Sequence, residues 1–422
     1  MPNTHPLSAN LASLIAPSSG ESIEAFLLLL AVVLVSAKLL GEVAEKIGQP
    51  AVIGELLAGV LLGPSVIGFV DPTMPSLHLI AEIGVVLLLF GIGLETDLKR
   101  LLSVGGAAFA VAVVGVVLPF ALGYFVSRSL GLALLPAVVA GAALTATSVG
   151  ITARVFSDLG QLRSVEGQIV LGAAVIDDVI GLIILAIVSD LVAGTAPSMF
   201  GIMRTTAVAF GFVAGALLVG KVVIPTVFNV IARTGKEHTL ASMALALAFL
   251  LAVLASEVGS ALIVGAFAAG LILAPTEHAH VIERGIVRLA NVFVPVFFVS
   301  VGAAVDVRTF GSTSVVGIGL ALTTVAIAGK FLAGFVPAWV RSRKTVIGVG
   351  MIPRGEVGLI FAQTGLAAGV INAGEYSALM LMVLVTTFIA PPLLRRLLTK
   401  SPPGAAEGGM DAGAVVEMTT EA

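Results

Sequence analysis

The amino-acid sequence predicts an all-α polytopic membrane protein with about thirteen transmembrane helices, inverted-topology repeats and two broken crossing helices. The first observation is composition: of 422 residues, 58% are hydrophobic and 11% are charged, whereas soluble domains carry about 25% charged residues. The second is a series of apolar runs near the length that spans a bilayer. The third is weak self-similarity between the two halves of the chain. This composition excludes a soluble globular protein, and without a basic run there is no reason to expect a nucleic-acid partner.

Apolar runs divide the chain into candidate membrane spans. The first 24 residues contain no Lys or Arg, so the first span is expected to remain as an anchor and not to be cleaved as a signal peptide. We expect residues 1–22 to be an extracellular N-terminal segment, residues 23–400 the transmembrane domain and residues 401–422 a disordered cytoplasmic tail. The thirteen spans are roughly 23–40, 51–69, 79–95, 104–127, 133–157, 168–190, 204–231, 238–256, 259–274, 285–304, 312–340, 345–371 and 376–394.

The basic residues predict how the chain is oriented in the membrane. Of 22 Lys and Arg residues, seventeen fall on one side of the thirteen spans and three on the other. The positive-inside rule therefore places the C-terminus in the cytoplasm and the N-terminus outside. The remaining two, Lys330 and Arg354, fall inside apolar spans. Two acids near span ends, Glu55 and Glu95, are expected to reach interfacial water.

An internal repeat relates the two halves of the chain. Glycine, proline and aspartate residues recur in the same order at offsets of 208 to 211 residues. The second span maps onto the ninth, and because this shift of seven spans is odd, the second copy is inverted in the membrane. The matching pairs are Gly54 with Gly265, Gly59 with Gly270, Pro64 with Pro275, Gly93 with Gly302, Asp97 with Asp306 and Gly150 with Gly358.

The twelfth span is interrupted at residues 352–358. Pro353 lacks an amide hydrogen and Gly355 tolerates non-helical backbone angles, so a break in the helix is expected there. Arg354 and Glu356 lie within this break and are candidates for satisfying the helix ends and balancing the half-helix dipoles. A structural role for these two residues is favoured over direct transport.

The fifth span is interrupted at residues 145–150, the position that matches the break in the other half. Broken helices at equivalent positions indicate a transport site, because their backbone ends and dipoles can serve ions at the midplane. The hydroxyls of Thr145, Thr147 and Ser148 are candidates for contacting a cation. Hydroxyls in a helix more often bond the backbone, so a structural role stays open.

Two adjacent carboxylates, Asp177 and Asp178, lie in the middle of the sixth span. Each costs about 2.5–3.5 kcal/mol at a helix centre, so an intramembrane acid indicates a functional site. Adjacent helical residues point about 100° apart, so one acid can be paired while the other stays open. Lys330 is the expected partner, because a lone ammonium in the membrane is equally costly. The alternative is a buried structural triad. The equivalent residues in the other half are Thr386 and Thr387, so a single ion site is expected.

At these residues the chain resembles a known family, the bacterial sodium/proton antiporters of the monovalent cation:proton antiporter-2 family. The resemblance covers about residues 25–395 and rests on the combination of QPAVIGELLAGVLLGPSVIG, LLLFGIGLETDL, GAALTATSVGITARVF, VLGAAVIDDVIGLIIL, the GK of AIAGKFLAG, and GMIPRGEVGLIFAQ. It implies a thirteen-helix inverted-repeat fold with three parts. These are a core (104–190 and 312–394), a dimerising scaffold (23–95 and 238–304) and a linker span (204–231).

The resemblance also implies a function and roles for the buried residues. Asp178 corresponds to the acid that binds the proton and the Na⁺ ion, and Asp177 to the acid that pairs with the core lysine, Lys330. The chain would then be an electrogenic antiporter, not an enzyme, that exchanges two protons for one Na⁺ or Li⁺ by alternating access. It would act without a cofactor, as a homodimer in the lipid of the bacterial inner membrane. Ser148 departs from the pattern, since some relatives carry an acid there.

Two other functions compete with this interpretation. A potassium/proton antiporter or potassium efflux system would use the same architecture, and the sequence leaves the choice between Na⁺ and K⁺ open. An intramembrane aspartyl protease would also need two buried acids. Its acids would face each other from separate helices, whereas Asp177 and Asp178 are adjacent on one helix and the Gly-x-Gly-Asp signature is missing. The protease is therefore disfavoured.

Overall fold

The computed structural model describes residues 22–192, 199–234, 237–259, 261–305, 307–308 and 312–399. The described backbone is almost entirely helical, because in lipid a helix satisfies its own amide and carbonyl groups. Eight helices make up the first half: α1 (Ile23–Lys46), α2 (Ala51–Leu62), α3 (Pro75–Glu95), α4 (Leu98–Ser103), α5 (Gly105–Ser129), α6 (Leu134–Ala143), α7 (Val149–Asp158) and α8 (Val165–Val192).

The second half begins with a long helix and then follows the order of the first. Its interrupted span is again made of two short helices, α14 and α15. The helices are α9 (Met199–Thr234), α10 (Glu237–Glu257), α11 (Leu262–Leu273), α12 (Ala279–Ala303), α13 (Thr313–Ala333), α14 (Lys344–Gly350), α15 (Glu356–Ala367) and α16 (Ala373–Thr399).

The thirteen predicted spans are confirmed. Over the described ranges, nine helices are long and apolar enough to cross a membrane. The shorter α2 and α11 add two spans, and the interrupted pairs α6/α7 and α14/α15 add two more. The predicted N-terminal segment and C-terminal tail lie outside the described residues, apart from Ser22, as does Asp306.

The structure corrects two predicted helix ends. The second span is helical only to Leu62 and not to residue 69, because Gly63 and Pro64 follow it. The eleventh span ends at Ala333 and not at residue 340, and a turn leads from there to Pro337. In both places a proline lacks the amide hydrogen that a continued helix would need.

A short helix, α4, was not predicted from the sequence. It lies between the third and fourth spans, and its N-cap is Asp97. The Asp97 carboxylate accepts hydrogen bonds from the amides of Lys99 at 2.9 Å and Arg100 at 3.2 Å. A side-chain cap of this kind stabilises the first turn of a helix by about 1 kcal/mol. At six residues, α4 carries too little periodic pattern to be recognised as a helix.

Close glycine contacts repeat in the two halves, as the inverted repeat predicts. A Cβ atom on Gly59 of α2 would lie 2.8 Å from the Cα of Gly302 on α12. In the second copy, a Cβ on Gly270 of α11 would lie 2.7 Å from the Cα of Gly93 on α3. Small residues let helix backbones approach this closely in membranes. The two contacts involve repeat-related residues, so the halves share their packing as well as their pattern.

The helices pack in two groups. Helices α1–α3 pack with α10–α12, and α5–α8 pack with α13–α16. Helix α9 contacts α8 of one group and α10 and α11 of the other. The two groups meet where α7 approaches α2 and α3, and there the Ser157 hydroxyl donates to the Glu95 carboxylate at 3.3 Å.

Candidate functional site

The two interruptions meet inside the second group of helices. The Ser148 amide, in the break between α6 and α7, donates a hydrogen bond of 2.8 Å to the carbonyl of Pro353, in the break between α14 and α15. The Thr152 hydroxyl donates to the carbonyl of Gly350 at 2.7 Å, and the Thr147 hydroxyl to that of Met351 at 3.5 Å. Backbone groups freed by one break are therefore satisfied by the other, as a buried non-helical backbone requires.

Arg354 connects the two breaks through its side chain. It is fully buried, and its guanidinium donates to the carbonyls of Ala146 at 2.9 Å and Ala326 at 3.3 Å. The Ala146 carbonyl lies just beyond the C-terminal end of α6, where a helix dipole is negative. Arg354 therefore contacts a helix end, and its predicted role in balancing the half-helix dipoles stays a prediction. Its own carbonyl accepts a hydrogen bond of 2.6 Å from the Thr387 hydroxyl on α16.

The two adjacent carboxylates are buried in α8, with Asp177 at 1% exposure and Asp178 at 5%. The Lys330 ammonium on α13 lies 3.0 Å from Oδ2 of Asp177, and neither side chain is exposed. The predicted ion pair is therefore present. A pair buried this deeply is tolerated only where the geometry is good, since desolvation of two charges costs several kcal/mol per ion. The role of the pair in transport stays a prediction.

Glycines on two helices leave room for the lysine. A Cβ atom on Gly115 of α5 would lie 3.5 Å from the Lys330 ammonium, and one on Gly329 of α13 would lie 2.8 Å from Cγ of Pro119. Because α5 and α13 approach so closely, the ammonium is enclosed by the helix backbones.

The four charged groups buried near the breaks have a net formal charge of zero. Asp177 and Asp178 contribute two formal negative charges, and Lys330 and Arg354 two positive ones. Lys330 also lies within electrostatic range of Arg354 and Asp178, and Arg354 within range of Asp177. The formal charges of these four groups sum to zero, so each buried charge has an opposite charge in the same region.

Three other predicted site residues lie in or beside the breaks. The Thr145 hydroxyl donates to the Ala142 carbonyl at 2.7 Å, so it caps its own half-helix. Ser148 lies against Gly355, where a Cβ atom would come within 2.8 Å of the serine hydroxyl oxygen. Glu356 is the first residue of α15 and does not lie inside the break as predicted, and its side chain is outside the described residues.

Sequence reasoning missed two features of the interior. Thr387 was considered only as the repeat counterpart of an acid, and its hydrogen bond to the carbonyl of Arg354 was not predicted. Glu55 was expected to reach interfacial water, but it is only 5% exposed. The residue at the equivalent position of the other repeat, Ala266, carries no charge. That difference was the available signal that Glu55 departs from the repeat.

Comparison with known proteins places this arrangement in a family. Residues 29–400 match the family model described as sodium/hydrogen exchanger, transmembrane. The high-affinity Na⁺/H⁺ antiporter NhaS3 of Synechocystis is 42% identical over 87% of this chain and 89% of its own length. The Na⁺/H⁺-K⁺ antiporter GerN of Bacillus cereus is 34% identical over 88% of this chain and 95% of its own. A structure of the sodium proton antiporter MjNhaP1 of Methanocaldococcus jannaschii shares the fold, with a TM-score of 0.71 at 17% identity over 91% of this chain and 100% of that one. The chain is a multi-pass membrane protein that belongs to the sodium/hydrogen exchanger family.

Proposed function

We propose that the chain is a secondary active antiporter that exchanges protons for Na⁺ or Li⁺ at Asp177, Asp178 and Lys330. The observation that carries this proposal is the buried Asp177–Lys330 pair, with a second acid on the next residue. The names of the relatives NhaS3 and GerN support Na⁺ and H⁺ as the exchanged ions. A buried acid that holds either a proton or a cation, but not both, is the minimal exchanger.

The lysine gives the proposed exchange its electrical character. Na⁺ binds at Asp178 and attracts the Asp177 carboxylate. The ion pair between Asp177 and the Lys330 ammonium then breaks. Without its counter-ion, an ammonium buried among helix backbones is too costly to keep charged, so the lysine gives up a proton. One proton leaves Asp178 and one leaves Lys330 for each Na⁺ that enters, and the cycle moves one net charge.

We propose that one group of helices moves against the other during the cycle. The core would be α5–α8 with α13–α16, which holds the four buried charges. The scaffold would be α1–α3 with α10–α12, through which two copies of the chain form a dimer, and α9 would link them. The close glycine contacts within the scaffold favour a rigid support. The distribution of basic residues favours a cytoplasmic C-terminus, in the inner membrane of a bacterium.

Exchange is tested with the purified protein in liposomes that contain a pH-sensitive dye. Pulses of Na⁺ or Li⁺ outside should move protons across the membrane, whereas choline, which cannot enter a small carboxylate site, should not. Protein-free liposomes control for leak. Failure of every alkali cation to move protons would exclude the proposed antiport.

K⁺ is the second candidate ion, because GerN, a relative over 88% of this chain, is named for K⁺ as well as Na⁺. A K⁺ pulse in the same liposomes separates the two candidates. A response to K⁺ equal to that with Na⁺ would make the chain a general monovalent cation antiporter. A response to K⁺ alone would replace the proposed substrate.

Alternating access is tested at the crossing of the broken helices. The chain contains no cysteine, so Ser148→Cys introduces a single reactive thiol. We expect a membrane-impermeant thiol reagent to label it from opposite sides under conditions that favour opposite states, such as high Na⁺ and low pH. Labelling from one side under every condition would contradict alternating access at this position.

A further inference from the structure

A cavity of about 640 Å³, open to the surface, lies between α1, α2, α12 and Arg154 of α7. Neither Asp177 nor Asp178 lines it, so it is separate from the buried pair described above. It occupies the end of the bundle where α1 and α7 terminate, which is the end rich in Lys and Arg. Its charged lining residues are Lys38, Glu42, Glu45, Glu55 and Arg154.

Glu55 is the buried acid of this cavity. It is 5% exposed, and its Oε2 atom has no hydrogen-bond partner among the described residues. The nearby cations are engaged elsewhere: Arg154 lies 2.9 Å from Asp158, and Lys38 lies 3.9 Å from Glu42. A buried carboxylate without a partner is unfavourable. Glu55 is therefore stabilised either by taking up a proton or by binding a ligand that the described side chains do not supply.

The inverted repeat shows that the fold does not need charge at these positions. Glu55 corresponds to Ala266 of α11, and Arg154 corresponds to Ala362 of α15, at the offsets found for their spans. Both alanines are buried, at 0% and 1% exposure. The same helix packing therefore forms with methyl groups in place of the carboxylate and the guanidinium. Because the charged residues occur at these positions in the first repeat only, they indicate a role other than packing.

The charge and size of the cavity define its ligand. Three carboxylates and two cations leave one formal negative charge in the lining. Asp158 and Glu45 also lie within electrostatic range of Glu55 and add to the negative potential, while Arg154 and Lys38 oppose it. At about 30 Å³ for each water, 640 Å³ holds roughly twenty waters. This room accommodates a monovalent ion with its hydration shell.

We propose that this cavity is a second cation site, in which one hydrated alkali cation is held by Glu55 between the two groups of helices. The identity of the ion, though not the existence of the site, rests on the proposed Na⁺/H⁺ exchange. Glu55 belongs to α2 in the first group, and Arg154 to α7 in the second. Because the positive charge of Arg154 opposes a bound cation, movement of the second group against the first changes how strongly the cation is held, so its occupancy is coupled to their relative position.

The test measures binding of radioactive Na⁺ to the purified protein with Asp178→Asn as the background. That substitution removes the proposed transport site and keeps the Asp177–Lys330 pair. We expect the background protein to retain saturable binding of about one Na⁺ per chain. Adding Glu55→Gln should weaken that binding at least tenfold. Glu24→Gln, which removes an exposed acid at the other end of α1, is the matched control and should leave binding unchanged.

The outcomes separate this site from the transport site. Loss of all saturable binding in Asp178→Asn, or unchanged binding after Glu55→Gln is added, would overturn the second site. Glu55→Ala copies the residue at the equivalent position of α11 and provides a second variant if Glu55→Gln does not fold. Exchange in liposomes is measured separately, so its failure would overturn the proposed function without bearing on Na⁺ binding at Glu55.

Discussion

The two inverted repeats share their helix packing but not their charges. The contact of Gly59 with Gly302 has its counterpart in the contact of Gly270 with Gly93. In contrast, Asp177 and Asp178 lie in the first repeat, and Lys330 and Arg354 lie in the second. Symmetry therefore accounts for the helix packing, and departures from symmetry supply the four buried charges of the proposed ion site. Each repeat supplies only one sign of charge to this set of four buried groups.

The largest expected effect comes from removing Asp178, an acid that a threonine replaces in the second repeat. We predict that Asp178→Asn lowers Na⁺-driven proton movement in liposomes at least 50-fold, because the amide can neither carry a proton to exchange nor supply a negative charge for the cation. Thermal unfolding and size-exclusion chromatography should match the unsubstituted protein. Exchange above a few per cent would show that the asymmetric acid is dispensable.

Removing the base contributed by the second repeat should alter both stability and charge transfer. Lys330→Gln leaves Asp177 buried without its counter-ion, which costs about 3–5 kcal/mol. In the unsubstituted protein, one net charge per cycle is worth about 2.3 kcal/mol per 100 mV, so that potential should shift the final Na⁺ ratio about fiftyfold. We predict that Lys330→Gln abolishes this dependence on potential.

The measurement for Lys330→Gln is the final Na⁺ distribution at potentials set by K⁺ gradients and valinomycin. Thermal unfolding comes first, because a variant that does not fold cannot report on charge transfer. If the unsubstituted protein reaches the same Na⁺ ratio at every potential, its cycle is electroneutral. Lys330 would then carry no proton.

The helix packing that the two repeats share is tested at the glycine contacts. Gly59→Ala and Gly270→Ala each place a methyl group against the backbone of the facing helix. Overpacking of this kind costs about 1–3 kcal/mol, and we predict similar losses at the two sites by thermal unfolding in detergent. Gly91→Ala, with no heavy atom within 4 Å of the added Cβ, is the control and should not destabilise the protein. A loss at only one contact would show that the two copies are not equivalent.

The smallest expected effect concerns the residue that takes the place of Asp178 in the second repeat. Thr387→Val keeps the shape but removes the hydrogen bond of 2.6 Å to the carbonyl of Arg354. We predict a loss of about 1 kcal/mol in stability and at most a fewfold loss of exchange. A loss as complete as that of Asp178→Asn would mean that both repeats contribute directly to ion binding.

The sequence predicted most of the fold because apolar length and repeat position are local properties. The thirteen spans, the two breaks and the pairing of Asp177 with Lys330 follow from the cost of polar groups in lipid. The hydrogen bond from Arg354 to the carbonyl of Ala146 could not be predicted. That contact joins residues 208 positions apart, and it depends on how two non-helical segments cross.

The burial of Glu55 could not be predicted for a related reason. Its position near a span end is compatible with contact to water, and only the packing of α1 and α12 around α2 encloses it. The repeat contained a partial signal, since Ala266 stands at the equivalent position. A departure from repeat symmetry therefore indicated Glu55 where hydrophobicity alone did not.

The separation of acids and base between the repeats has a consequence for synthesis of the protein. Asp177 precedes Lys330 by 153 residues, which take about 8 to 30 s to translate at 5–20 residues per second. During that interval α8 can enter the membrane while its counter-ion has yet to be made. Asp177 lacks its counter-ion until α13 arrives. The Asp177–Lys330 pair is thus formed late in the biogenesis of this protein.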